Sequence, residues 1–144
     1  MSASASTAGN SGVTIAARLG INAGSLVLEF GRGEDSDEEL RTQIATVAGS
    51  ALLTDDQEEV VDVVIIWWRE DDGDLVDALV DALTFLAAGG SIWVLTPKAG
   101  RAGHVEPSDI QEAAPTAGLS QTSSLAVARD WTGTKLVAPK SSRR

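Results

Sequence analysis

The chain has 144 residues, 21 acidic against 11 basic side chains for a formal charge of −10, 43% hydrophobic residues and no cysteine. That length suits one domain burying roughly 68–70% of its unfolded surface, and the lack of cysteine excludes disulfides, thiolate metal ligands and thiol catalysis. A single histidine argues against a zinc site, while the acidity disfavours nucleic acid and anionic lipid as partners.

No apolar run approaches the roughly 20 residues of a membrane span, and no basic and apolar signal segment opens the chain, so cytoplasmic residence is expected. The charge is unevenly spread. Residues 29–81 carry seventeen acidic side chains against Arg32, Arg41 and Arg69, whereas residues 82–144 carry seven basic and four acidic ones. This pattern gives solubility, and it also suits a basic partner or the basic half of a second copy, which would make a homo-oligomer.

Residues 1–12 are small, polar and aperiodic, the pattern of a disordered tail. An α/β domain over residues 13–140 and a loose basic tail over 141–144 complete the expected organisation. Val13 to Leu19 is expected as a short helix stopped by Gly20, and Asn22-Ala23-Gly24 as a turn. Ser25 to Phe30 follows as a strand. Ser36-Asp37-Glu38-Glu39 has the form of a capping box, placing Ser36 at a helix start, with Leu40, Ile44, Val47 and Ala48 on its apolar face and Gly49 as its stop. Ala51-Leu52-Leu53 is expected as a short strand.

Val60 to Trp68, VVDVVIIWW, is apolar on both faces. That predicts a central parallel strand with Trp67 and Trp68 on opposite sides. Asp71 to Asp74 opens a helix striped by Leu75, Val76, Leu79, Val80, Leu83 and Leu86 and ended by Gly89-Gly90. Ser91 to Thr96 is the next buried strand, completing a right-handed crossover. After the basic loop Lys98 to His104, a second capping box puts Ser108 at the start of a helix limited by Pro115 and Gly118. Two strands, Thr122–Arg129 and Lys135–Pro139, form a hairpin around Trp131 and Gly133.

From Val60 the order strand, helix, strand, helix, hairpin resembles the C-terminal half of class I methyltransferases. Val27-Leu28-Glu29-Phe30-Gly31-Arg32-Gly33-Glu34 is similar to their first glycine loop, which the resemblance implies would lie against S-adenosylmethionine. The chain departs from that pattern between Gly33 and Val60. Its 26 residues there hold one helix and a scrap of strand, where those enzymes usually have two strand–helix units and a ribose-binding carboxylate; Asp55 or Asp56 is the substitute on offer. A closer resemblance, carried by Val60–Ala82, Thr96–Leu119 and Asp130–Leu136, is to the small actinobacterial proteins grouped as domain of unknown function 3052. It implies a Rossmann-type domain and no established activity.

The expected architecture is thus a single Rossmann-like α/β domain, a mostly parallel sheet with a C-terminal antiparallel hairpin. Candidate ligand or anion-binding residues are Glu29, Gly31 and Gly33 in the first loop and Lys98, Arg101 and His104 in the basic loop, which leaves a parallel strand's C-terminal end. Candidate partner-binding residues are Asp74, Asp77 and Asp81 along one helix face and Trp131, whose place at the hairpin suits either an exposed anchor or packing back onto the domain. His104 has no catalytic companion, Ser108 reads as a cap, and Glu70 to Asp74 lacks the closing Glu of a calcium loop. No catalytic set, metal or cofactor is identifiable. The preferred function is a non-catalytic protein-binding or regulatory module; the alternative is a small-molecule site of nucleotide or S-adenosylmethionine type, or a reduced methyltransferase-like enzyme.

Overall fold

The β-branched run folds as a strand, Val61–Trp67, at the interior of a five-stranded sheet. The computed structural model describes residues 15–54 and 59–138. Its elements in chain order are α1 (Ile15–Arg18), β1 (Val27–Phe30), α2 (Glu38–Ala48), β2 (Val61–Trp67), α3 (Leu75–Leu83), β3 (Leu86–Pro97), α4 (Pro107–Thr116), β4 (Ser120–Ala126) and β5 (Trp131–Val137). The expected tails, the start of the first helix, Asp55 and Asp56, and Pro139 lie outside the described residues.

The sheet order is β1-β2-β3-β5-β4. β1, β2 and β3 are parallel, and the β4–β5 hairpin returns antiparallel to β3. The expected fold class is therefore the observed one. Because β2 is covered on both faces it needs no polar alternation, which is why only Asp62 is exposed within it. Asp62 sits at the strand's start and accepts a hydrogen bond from the Leu26 amide. α1 and α2 cover one face, where Leu19, Ile44, Ile65, Trp67 and Trp93 pack. On the other face α3 and α4 close over Val64, Ile66, Leu79, Ile92 and Ile110. Trp67 and Trp68 belong to opposite faces as alternation requires.

Several boundaries differ from the expectation. Asp37, rather than Ser36, caps α2 by accepting from the Leu40 amide, while the Ser36 hydroxyl accepts from the Gly33 amide and tightens the preceding loop. Gly49 ends α2 as expected, in a left-handed conformation with φ +84°. α3 stops at Leu83 instead of running to the glycines. The Thr84 hydroxyl bonds the Asp81 carbonyl, and Leu86 is already paired with Val61. Leu86 thus lies in a strand, and Val80 faces solvent at 46% exposure.

α4 begins one residue earlier than Ser108, because Pro107 occupies the first turn, where its missing N–H is no loss. The strands of the hairpin also start earlier than expected, and the turn is at residues 127–130. In place of a strand at 51–53 there is one parallel bridge between Leu53 and Leu28. Among the described residues no helix is long and apolar enough to cross a membrane.

Candidate functional site

The parallel strands all point their C-terminal ends at one rim, so the loops after β1, β2 and β3 gather there. Arg69, just beyond β2, is the residue around which they close. Its Nη1 donates to the Gly31 carbonyl at 2.7 Å, the Trp67 carbonyl at 3.1 Å and Asp72 at 3.2 Å, while Nε and Nη2 grip Asp35 at 3.0 and 2.5 Å. Its guanidinium carbon lies 5.3 Å from the centre of the Trp131 ring. The Glu70 amide donates to the Gly103 carbonyl, tying the basic loop to the same corner. Asp35, with Asp72 behind it, holds the Arg69 guanidinium charged, and Arg69 in return pulls the Asp35 carboxyl below its ordinary range against a smaller opposing effect of burial.

The glycine loop has little room to spare. Gly31 has φ +76°, and a Cβ there would collide with the Trp67 carbonyl. A Cβ on Gly33 would stand 3.0 Å from Arg69 Nη2. Glu29, 8% exposed, accepts from Arg41 at 2.6 and 2.9 Å and from Trp67 Nε1 at 2.7 Å. Arg41 also reaches Glu38, which Arg32 first and Arg41 second hold below the ordinary carboxylate range.

Of the two readings of Trp131, the structure shows packing onto the domain and not the exposed anchor. Trp131 is 3% exposed, donates from Nε1 to the Asp35 carbonyl and meets Trp67 edge-on at 4.8 Å between ring centres. A tryptophan at the start of β5 faces the α1–α2 layer, so it locks the hairpin to the first loop. Sequence reasoning missed Arg69 altogether. Its signal was there: one of three cations in an acidic half, directly after the central strand.

The six candidate ligand residues fall into two separate settings. Glu29, Gly31 and Gly33 are engaged within the Arg41 and Arg69 networks. In the basic loop Arg101 lies 2.8 Å from Asp130 Oδ1, an ionic contact without hydrogen-bond alignment. His104 bonds the Pro97 carbonyl through Nδ1 at 2.8 Å and approaches Glu106 through Nε2 at 3.0 Å. Lys98 has no ion pair among the described residues.

The candidate partner residues other than Trp131 belong to α3, where Asp81 borders a hollow together with Gly31, Arg32 and Arg69. Asp74 caps α3 through its side chain, and Asp77 and Asp81 are exposed on that helix. Between α3 and α4 runs an open groove of about 590 Å³ with Trp68, Leu75 and Val76 among its apolar walls and Glu70, Asp109 and Glu112 among its polar ones.

A family model described as protein of unknown function, DUF3052, matches residues 16–140. The chain belongs to the DUF3052 family. An uncharacterised protein of Mycobacterium tuberculosis H37Rv is 49% identical to this DUF3052 chain over 126 residues, covering 88% of it and 79% of the relative. Among solved structures, the magnesium protoporphyrin IX methyltransferase of Synechocystis PCC 6803, with bound SAH, is similar at TM-score 0.58 and 14% identity, covering 87% of this chain and 80% of that one. A TehB-like SAM-dependent methyltransferase of Corynebacterium glutamicum matches at TM-score 0.51 and 15% identity over 90% of both chains. These likenesses show a Rossmann-like methyltransferase fold.

S-adenosylmethionine, which that fold implies against the first glycine loop, does not fit the side chains of this DUF3052 domain. Gly31 is held against the Trp67 backbone with its carbonyl on Arg69, Gly33 faces Arg69 and Asp35, and the Glu29 carboxylate is already shared by Arg41 and Trp67.

Proposed function

We propose that this DUF3052 protein is a non-catalytic cytoplasmic binding module, whose α3–α4 groove receives a Lys- or Arg-bearing segment of a protein partner. The observation that carries it is how the carboxylates divide. Five around the strand ends (Glu29, Asp35, Glu38, Asp72, Asp130) meet arginines, though Glu34, Asp37 and Glu39 beside them meet none among the described residues. Those along α3, α4 and the preceding loop, namely Glu70, Asp71, Asp77, Asp81, Asp109 and Glu112, meet no cation among the described residues. Half-buried Trp68 and Val76, with exposed Val80 one turn beyond Val76, add an apolar strip within this acidic rim. An apolar centre inside a rim of one charge is the arrangement that favours both contact area and choice of partner.

The test is titration with a synthetic peptide of alternating Arg and Leu, with Glu replacing Arg in the control. Binding of the basic peptide alone, weakening steeply above the ionic strength where the screening length reaches about 8 Å, and lost in the Asp109→Lys/Glu112→Lys variant of the groove wall, supports the reading. Equal binding by the Glu peptide, or by the charge-reversed variant, refutes it.

A further inference from the structure

The alternation that makes the sheet apolar under α4 is interrupted at one end. Ile92, Val94 and Leu136 face α4 in the lower part of β3 and β5. Continuing with the same period along those strands, the next residues on this face are Thr96 and, on β5, Thr134 and Thr132. Register sets Thr96 opposite Thr132 and Thr134 opposite Ser124 of β4. The result is a patch of hydroxyls where an apolar floor would serve packing better.

This patch is the floor of a pocket of about 220 Å³ beneath the first turns of α4. Gln111 of α4 and Gln121 of β4 join its walls, and Lys98 and His104 stand at its edge. Thr96 is 4% and Thr134 6% exposed, yet neither hydroxyl has a hydrogen-bond partner among the described residues. Neither hydroxyl is sealed off: among the described residues Asp130 Oδ1 is the enclosed side-chain polar atom without a hydrogen-bond partner, so the threonine hydroxyls open to the pocket and can bond a polar occupant.

The charge of this pocket is also out of keeping with the molecule. In a chain of formal charge −10, its lining contains no carboxylate and one lysine. That lysine, Lys98, is not neutralised by any described acid. The first turn of α4 starts at the same edge with no side-chain cap, because the Glu106 carboxylate lies against His104 instead.

Size narrows the ligand. At about 30 Å³ per water, the pocket holds roughly seven water-sized groups, below the roughly 300 Å³ at which ordinary cofactor and drug-sized sites begin. We infer that the pocket at the end of β3, floored by Thr96, Thr132 and Thr134 and edged by Lys98, binds a small hydroxylated organic anion, its oxyanion at Lys98 and its hydroxyls on the threonines. This site is independent of the α3–α4 groove.

The experiment is amide-resolved NMR titration of the full chain with glycerol 3-phosphate, malate, inorganic phosphate and neutral glycerol. Saturable shifts centred on Thr96, Thr132, Thr134 and Gln111, with glycerol 3-phosphate or malate binding at least tenfold more tightly than glycerol, support the assignment. Which of the two anions prevails identifies the headgroup as phosphate or carboxylate. Lys98→Met and Thr134→Val should each weaken that binding at least fivefold, with unchanged far-UV and near-UV circular dichroism. No saturable binding of either organic anion at 10 mM overturns the assignment. So does binding that both variants retain, or inorganic phosphate matching the organic anions, which would mark an unspecific cation contact.

Discussion

Replacing Arg69 with alanine removes the knot at the strand ends, and the structure sets its size. The substitution strips hydrogen bonds from two backbone carbonyls, those of Gly31 and Trp67, and leaves Asp35 without its fork. The Asp35 side chain is 54% exposed, so the ion pair itself contributes little more than 0.5 kcal/mol. The two carbonyl bonds from a charged donor that is only 17% exposed weigh more, about 1.5 kcal/mol each after water partly replaces them. The sum is about 3.5 kcal/mol. For roughly 120 ordered residues the unfolding entropy is about 0.25 kcal/mol/K, so the expected fall in Tm is about 14 °C by calorimetry. Arg69→Lys should recover less than half of it, since an ammonium cannot grip two carbonyls and a carboxylate in one plane. The pH dependence has a definite sign. The folded Asp35 carboxyl titrates below its unfolded value, so its contribution is full above about pH 4 and is lost as pH falls through the lower folded value. The gap between wild type and Arg69→Ala should therefore narrow under acid. A Tm within 3 °C of wild type, or full recovery by lysine, would show that the loops close without this residue.

Trp131→Ala should destabilise by about 3–5 kcal/mol, because it empties a buried site against Trp67 and removes the bond to the Asp35 carbonyl; denaturant unfolding measures it. Asp37→Ala should destabilise by about 1 kcal/mol as the loss of a helix cap, and asparagine at the same position should restore most of that. S-adenosylmethionine at millimolar concentration should leave the melting temperature unchanged; a rise of several degrees would mean that the Arg69 network yields to the ligand.

The layering was legible because it depends on patterns a linear reading detects. An uninterrupted β-branched run can be satisfied only by cover on two faces, and α2 advertises its apolar stripe and its glycine stop. Element ends were harder to place because neighbouring residues compete for one task. Asp37 outcompetes Ser36 for the cap, and Pro107 moves the start of α4. The path from Leu83 to Ser91 was misplaced for another reason: Leu86 fits a helical stripe equally well, and only its pairing with Val61 decides the outcome. The site was least legible. Arg69 acts through loops 38 and 34 residues away in sequence, at Gly31 and Asp35, and no local spacing encodes such a meeting. The hydroxyl floor under α4 likewise exists only once β3, β4 and β5 are in register.

The lone rung between Leu28 and Leu53 has a consequence for the open edge of the sheet. The Leu53 amide bonds the Val27 carbonyl, and the Leu53 carbonyl takes the Glu29 amide. Two backbone groups in the middle of β1's outer margin are thereby spoken for, and an incoming extended chain finds the template broken at its centre. A fragment too short to be a strand thus serves as a stopper, guarding the sheet against growth from that side.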